Sequence, residues 1–160
     1  MAELRYVRAL NQALSDAMAA DPSVIVFGED IAAAGGPFGV TRGLLEAYGA
    51  DRVRDTPISE ATIVGAAVGA AMTGLKPVVE IMFMDFVAIA MDAIVNQAAK
   101  ARFMFGGQGS VPMVVRLPHG GGVSAGPQHS QCLEAWFAHV RLALDGAAAE
   151  DLAHAHHAVA

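Results

Sequence analysis

The chain has 160 residues, 54% of them hydrophobic and 16% charged, with a formal net charge of −6. That apolar content excludes disorder, and the acidic balance excludes a nucleic-acid-binding face: after Arg102 only Arg116 and Arg141 remain as fixed cations. The uncharged stretch from Ala61 to Leu75 spans 15 residues and holds three glycines, too short to cross a bilayer, so no membrane partner is expected.

In chain order, Leu4, Val7, Leu10, Leu14 and Met18 recur at three- and four-residue steps. They predict an amphipathic helix that Asp21-Pro22 ends. "SVIVFGED" reads as a short buried strand, "IAAAGGPFGVTRGLLEAYG" as a loop followed by a short helix, and "RVRDTPIS" as a strand leading into a turn. "EATIVGAAVGAAMTG" predicts a helix whose Gly65 and Gly69 share a face bare enough for another backbone to come close. "LKPVVEIMFMDF" reads as an apolar strand, "VAIAMDAIVNQAAKARFMFGG" as a long helix and "VPMVVRLP" as a further strand. The Ala/His-rich "RLALDGAAAEDLAHAHHAVA" differs in kind and predicts a helical tail over 141–160, following one domain over 1–140. Apolar strands alternating with helices predict an α/β fold, a three-layer αβα arrangement around a mainly parallel sheet. The lone Cys132 excludes an internal disulfide, and the first residues lack the apolar core of a leader. Both point to a reducing, cytoplasmic location.

In such folds ligands bind beyond the carboxyl ends of the strands. Four stretches fall there: "GED" at 28–30, "ISE" at 58–60, "MFMDF" at 82–86 and "PHGGGVSAGPQHS" at 118–130. Glu60 has two readings. It is either a carboxylate facing a helix dipole, or a desolvated carboxyl that shares a proton with a ligand nitrogen. Glu29 and Asp30 form either a solvated loop or a polar relay. His129 lies in a Gly-rich loop near a strand end, with Ser130 as a candidate N-cap for the following helix. His119, in a turn, and His139, late in that helix, carry less. Nothing around His154, His156 and His157 suggests a designed metal site, so no metal ligands are expected in this chain. "GGGVSAG" matches neither phosphate-loop pattern. Met82, Phe83, Met84 and Phe86 read as core more readily than as a wall for a ring.

Taken together, "VIVFGED", "DTPISEATIVGAAVGAAMTGLKPVVEIMFMDF", "MDAIVNQAAKARFMFGG" and "QHSQCLEAWFAHV" resemble the beta subunit of the thiamin-diphosphate-dependent 2-oxo acid dehydrogenases. The resemblance runs from about Tyr6 to Val140 and leans towards the acetoin and bacterial pyruvate branch. It implies a transketolase-like pyrimidine-binding domain and an oxidoreductase subunit. The glutamate of "TPISE", here Glu60, would hydrogen-bond N1′ of the cofactor's aminopyrimidine and favour its imino tautomer, acting as a proton switch. Phe86 would stack on the pyrimidine, Ile58 and Met82 would line its pocket, and Glu29 would join a polar network near the cofactor. His129 would handle the acyl intermediate or the incoming lipoyl group. The partners implied are an alpha subunit that holds magnesium and the diphosphate, a lipoyl acyltransferase, and a small 2-oxo acid or acetoin as substrate. Family members continue after "FAHV" with a Pro-Gly-Leu turn and a second domain, whereas Arg141 begins an unrelated stretch. The expectation is a truncated or a naturally minimal form of the subunit. The rival expectations are a split transketolase-like subunit and a non-catalytic remnant that only binds partners.

Overall fold

A computed structural model describes residues 5–140. Helix α1 (Tyr6–Ala20) buries Leu14 and Met18 and ends where the Asp21 amide bonds to the Ala17 carbonyl. Strand β1 (Val24–Gly28) follows, then the short helix α2 (Leu44–Tyr48), strand β2 (Val53–Asp55), helix α3 (Glu60–Met72) and strand β3 (Lys76–Glu80). A helical stretch comes next: α4 (Val87–Asp92), a π-helical turn (Ala93–Ala98) and α5 (Ala99–Met104). Strand β4 (Val114–Arg116) completes a four-stranded sheet in the order β2-β1-β3-β4. All three pairings are parallel.

The pleat explains the layers. Successive strand residues point to opposite faces, so Val24 and Val26 of β1 pack with Leu14, Met18, Leu44 and Val53 on the α1 and α2 side. Phe27 and Val79 instead pack with Ile63 and Ala67 of α3. Val64, Val87, Ala90 and Ile94 join α3 to the α4 side around Ile81 and Met84. The expected three-layer α/β architecture is present. Each fully buried Val or Ile here contributes about 1.5–3 kcal/mol.

Several local expectations change. The apolar run "LKPVVEIMFMDF" is a strand only as far as Glu80, and Met84–Phe86 form a 3-10 turn that feeds α4. Burial of Ile81 and Met84 accounts for the apolar run without strand pairing, because hydrophobicity alone does not separate a buried strand from a buried turn. The long helix is interrupted by its π turn, where Asn96 and Gln97 donate to the Asp92 carboxylate at 2.8 and 2.9 Å. Ser130 is not an N-cap. Its hydroxyl donates back to the Gly126 carbonyl at 2.9 Å, and the following segment, Glu134–His139, is a 3-10 helix preceded by Leu133. Nothing among the described residues comes within 4 Å of a Cβ built on Gly65 or Gly69. The expected tail helix lies outside the described residues.

Candidate active site at the carboxyl edge of the sheet

Close packing of the strand ends sets the frame of the site. A Cβ added at Gly28 would lie 2.3 Å from the Glu80 carbonyl oxygen, so only glycine lets β1 approach β3 there. The chain after β1 is then pinned at several points. Ala32 and Ala33 amides donate to the Asp55 carboxylate at 2.6 and 3.1 Å. The buried Thr41 hydroxyl donates to the Ile31 carbonyl at 2.6 Å, and Asn11 on α1 donates to the Val40 carbonyl at 2.6 Å. These bonds place Glu29 at the mouth of the sheet.

Glu29 is 4% exposed and Glu60, the first residue of α3, is 6% exposed. Burial raises the Glu29 pKa, the neighbouring Glu60 charge raises it further, and only the Met82 backbone amide opposes this. Glu29 Oε1 is buried with no hydrogen-bond partner among the described residues. Two buried acids that repel each other, one with an orphaned oxygen, are costly to fold; such groups cluster where a ligand supplies the missing partner.

An aromatic group follows Met82, whose backbone amide bonds to Glu29. Phe83 and Phe86 both meet the His129 ring edge-on, with centroids 4.8 and 5.4 Å away, and Phe38 packs on Phe83 at 6.0 Å. Met82 and Phe86 are half-buried, whereas Ile58 is 78% exposed. Asp85 fixes the His129 loop: it accepts from the Gln131 side-chain amide at 2.8 Å and from the Gln131 backbone amide at 3.3 Å. Burial pushes the Asp85 pKa up, but the Gln131 side-chain bond, backbone amides and the nearby His129 outweigh it and hold it below the ordinary value. Glu29 therefore lies against Glu60 and the Met82 backbone, and Phe86 lies against His129, while Ile58 is exposed.

Two features escaped the sequence reading. Glu80 and Arg116 close β3 and β4 in register, and their side chains form an ion pair only 2% and 15% exposed. Both residues directly follow apolar strand runs, so equal register in a parallel pair was the available signal. Asp85 was the second, hidden inside a run that read as strand.

The chain matches the family described as "Transketolase, pyrimidine binding domain" over residues 2–158. It belongs to that family. The pyrimidine-binding domain is also 51% identical over 138 residues to the "Pyruvate dehydrogenase E1 component subunit beta-2, mitochondrial" of Oryza sativa subsp. japonica, covering 86% of this chain and 37% of that protein. Against the corresponding beta-1 subunit of Arabidopsis thaliana the identity is 52%, again over 138 residues, covering 86% of this chain and 38% of the relative. The "Acetoin:2,6-dichlorophenolindophenol oxidoreductase subunit beta" of Cupriavidus necator is 48% identical over 142 residues, 82% of this chain and 42% of that protein. The chain thus spans about two fifths of the length of these relatives. No helix among the described residues is long and apolar enough to cross a membrane.

Proposed function

We propose that this domain supplies the pyrimidine half of a thiamin diphosphate site in the decarboxylating component of a 2-oxo acid dehydrogenase, acting on a small 2-oxo acid or acetoin. The observation that carries the reading is the buried pair Glu29 and Glu60, with an orphaned Glu29 oxygen, at the carboxyl edge of a parallel sheet. The residues fit an aminopyrimidine: a buried carboxylate for its ring nitrogen, an aromatic wall at Phe86 and a polar network at Glu29. When bound, thiamin diphosphate supplies the electron sink for breaking a bond next to a carbonyl.

Glu60 holds and returns the proton at its own carboxylate, and its burial keeps water from taking that place. Phe86 and Met82 exclude water from the ring face, and Ile58 closes the rim once a partner covers it. His129, two residues before the Gln131 that Asp85 holds, would serve the incoming lipoyl group. The diphosphate and its magnesium need oxygen ligands that an alpha subunit provides, and a lipoyl acyltransferase accepts the acyl group. The lone Cys132 supports a reducing, cytoplasmic setting.

The experiment is titration of thiamin diphosphate with magnesium into the chain alone and into the chain reconstituted with an alpha subunit, with NMR of cofactor C2 proton exchange on the complex. Tight binding should require the partner, since the pyrimidine contacts alone do not offset immobilising the ligand. Glu60→Gln should keep binding but slow exchange by about 10²–10⁴-fold. Micromolar binding by the lone chain, or wild-type exchange in Glu60→Gln, would overturn the assignment.

A further inference from the structure

A second group of donor atoms lies outside the acid pair and its aromatic wall. His119 Nδ1 lies 3.1 Å from Cys132 Sγ. With a Glu134 carboxylate oxygen, these three ligand atoms all fall within 4.8 Å of one another. Glu134 Oε2 is buried with no hydrogen-bond partner among the described residues. An imidazole nitrogen, a thiol and a carboxylate that carries an unpartnered oxygen therefore lie together.

Their backbones are held independently of any ligand. The Met84 amide donates to the Pro118 carbonyl, next to His119, at 2.8 Å. The Leu133 amide, between Cys132 and Glu134, contacts Met84 Sδ at 3.1 Å. The Asp85 to Gln131 bonds fix the residue before Cys132. All three anchors sit on the turn at Met84–Phe86, so both arms of the cluster are braced against one rigid element.

We propose that His119, Cys132 and Glu134 form a binding site for a zinc-like divalent cation. One nitrogen, one sulfur and one carboxylate oxygen suit Zn²⁺, whereas Mg²⁺ and Ca²⁺ take oxygen ligands. Three protein ligands leave the fourth tetrahedral position to water, which the exposed His119 and Cys132 admit. Ligand atoms on a zinc tetrahedron stand about 3.3–3.8 Å apart given its bond lengths. Closing the observed spread therefore takes only side-chain rotation of the exposed His119 and Cys132 towards the half-buried Glu134. Binding converts the Cys132 thiol to thiolate and releases its proton, so affinity falls as pH is lowered. The metal would close a loop of 13 positions, from His119 to Cys132, that carries His129. The site thus departs from the sequence expectation of no metal ligands, and it does not depend on the thiamin reading.

The test uses the full chain with Co²⁺ under a non-thiol reductant, followed by Zn²⁺ competition. Thiolate-to-cobalt charge-transfer absorption should saturate at one equivalent, disappear in Cys132→Ser and be displaced by Zn²⁺. His119→Gln and Glu134→Gln should each weaken cobalt binding by about tenfold or more. A triple replacement of His154, His156 and His157 by Ala should leave the band unchanged, and circular dichroism should show that every variant folds. Absence of the band in the wild type, its persistence at full affinity in His119→Gln and Glu134→Gln, or its loss with the tail histidines would each overturn the proposal.

Discussion

Two ion pairs tie the ends of β3 to neighbouring chain, and they behave oppositely. At the amino end Lys76 meets Asp21 at 2.8 Å, with side chains 56% and 32% exposed. At the carboxyl end Arg116 meets Glu80 with side chains 15% and 2% exposed. Hydrogen bonds from Lys76 and then Ser23 hold the Asp21 carboxyl well below its usual range. Burial instead pushes the Glu80 carboxyl up, and Arg116 only partly opposes it. The same chemistry gives opposite shifts because water solvates one pair and is excluded from the other.

The contrast extends to whole edges of the sheet. At the amino edge Arg52 is satisfied by backbone, donating to the Met18, Asp21 and Val24 carbonyls at 2.8–3.0 Å. At the carboxyl edge Glu29 Oε1, Asp85 Oδ2 and Thr56 Oγ1 are buried without partners among the described residues. A closed, satisfied edge serves stability. An edge that retains costly, unsatisfied polar atoms is where binding is expected.

Four measurements bear on that comparison. The largest effect is expected from Arg116→Ala, which leaves Glu80 buried and unpaired and should destabilise the chain by about 3–5 kcal/mol in denaturant melts. Replacing both members, Arg116→Met with Glu80→Leu, should recover most of that loss. If the single and double variants melt together, an unpaired buried Glu80 is not what the single variant suffers from.

His129→Ala comes next. Acyl transfer to lipoyl in the reconstituted complex should fall by about 10²-fold while thiamin diphosphate binding changes little. Equal loss of both would make His129 a packing residue for Phe83 and Phe86.

The third effect is smaller and depends on pH. The folded-state pKa of Glu29 lies above its unfolded value, so the folded chain binds more protons between those two values and wild-type stability falls as pH rises through that window. Glu29→Gln removes this penalty. It should melt higher than wild type at pH 8, by about 1 kcal/mol or roughly 2–4 °C. The gap should shrink as pH falls to the ordinary carboxyl value near about 4.3. A gap that is constant with pH would mean that the orphaned oxygen, not the charge, carries the cost.

The smallest effect belongs to Lys76→Ala. Its pair is solvated and screened by salt, so the melting midpoint should shift far less than for Arg116→Ala, and what shift there is should vanish at high salt. A loss comparable to that of Arg116→Ala would erase the contrast between the two edges.

Much of the fold was legible because its signals are local. The three- and four-residue spacing from Val7 to Met18 specifies α1, and Asp21-Pro22 ends it where the structure does. Short apolar runs broken by helices sufficed for a parallel sheet, since only a sheet covered on both faces tolerates such strands. Glu60 stood out as a lone carboxylate opening a long uncharged run, and the structure buries it. Errors arose where an apolar run carried no period. Burial at Ile81 and Met84 is satisfied by a turn as well as by a strand, and the π turn in the long helix has no signature in hydrophobicity.

What the sequence determined by itself was therefore the element order, the three-layer class and the candidate acids at the strand ends, because periodicity, breakers and charge placement act over a few residues. Tertiary structure alone decided which of those groups meet. The pairing of Glu80 with Arg116, separated by 36 positions, follows from strand register. The convergence of His119, Cys132 and Glu134 follows from how the loop folds back on Met84. The repulsion between Glu29 and Glu60 follows from the folding together of the segment after β1 and the start of α3. Distance and desolvation set these energies, and both are properties of packing rather than of residue order.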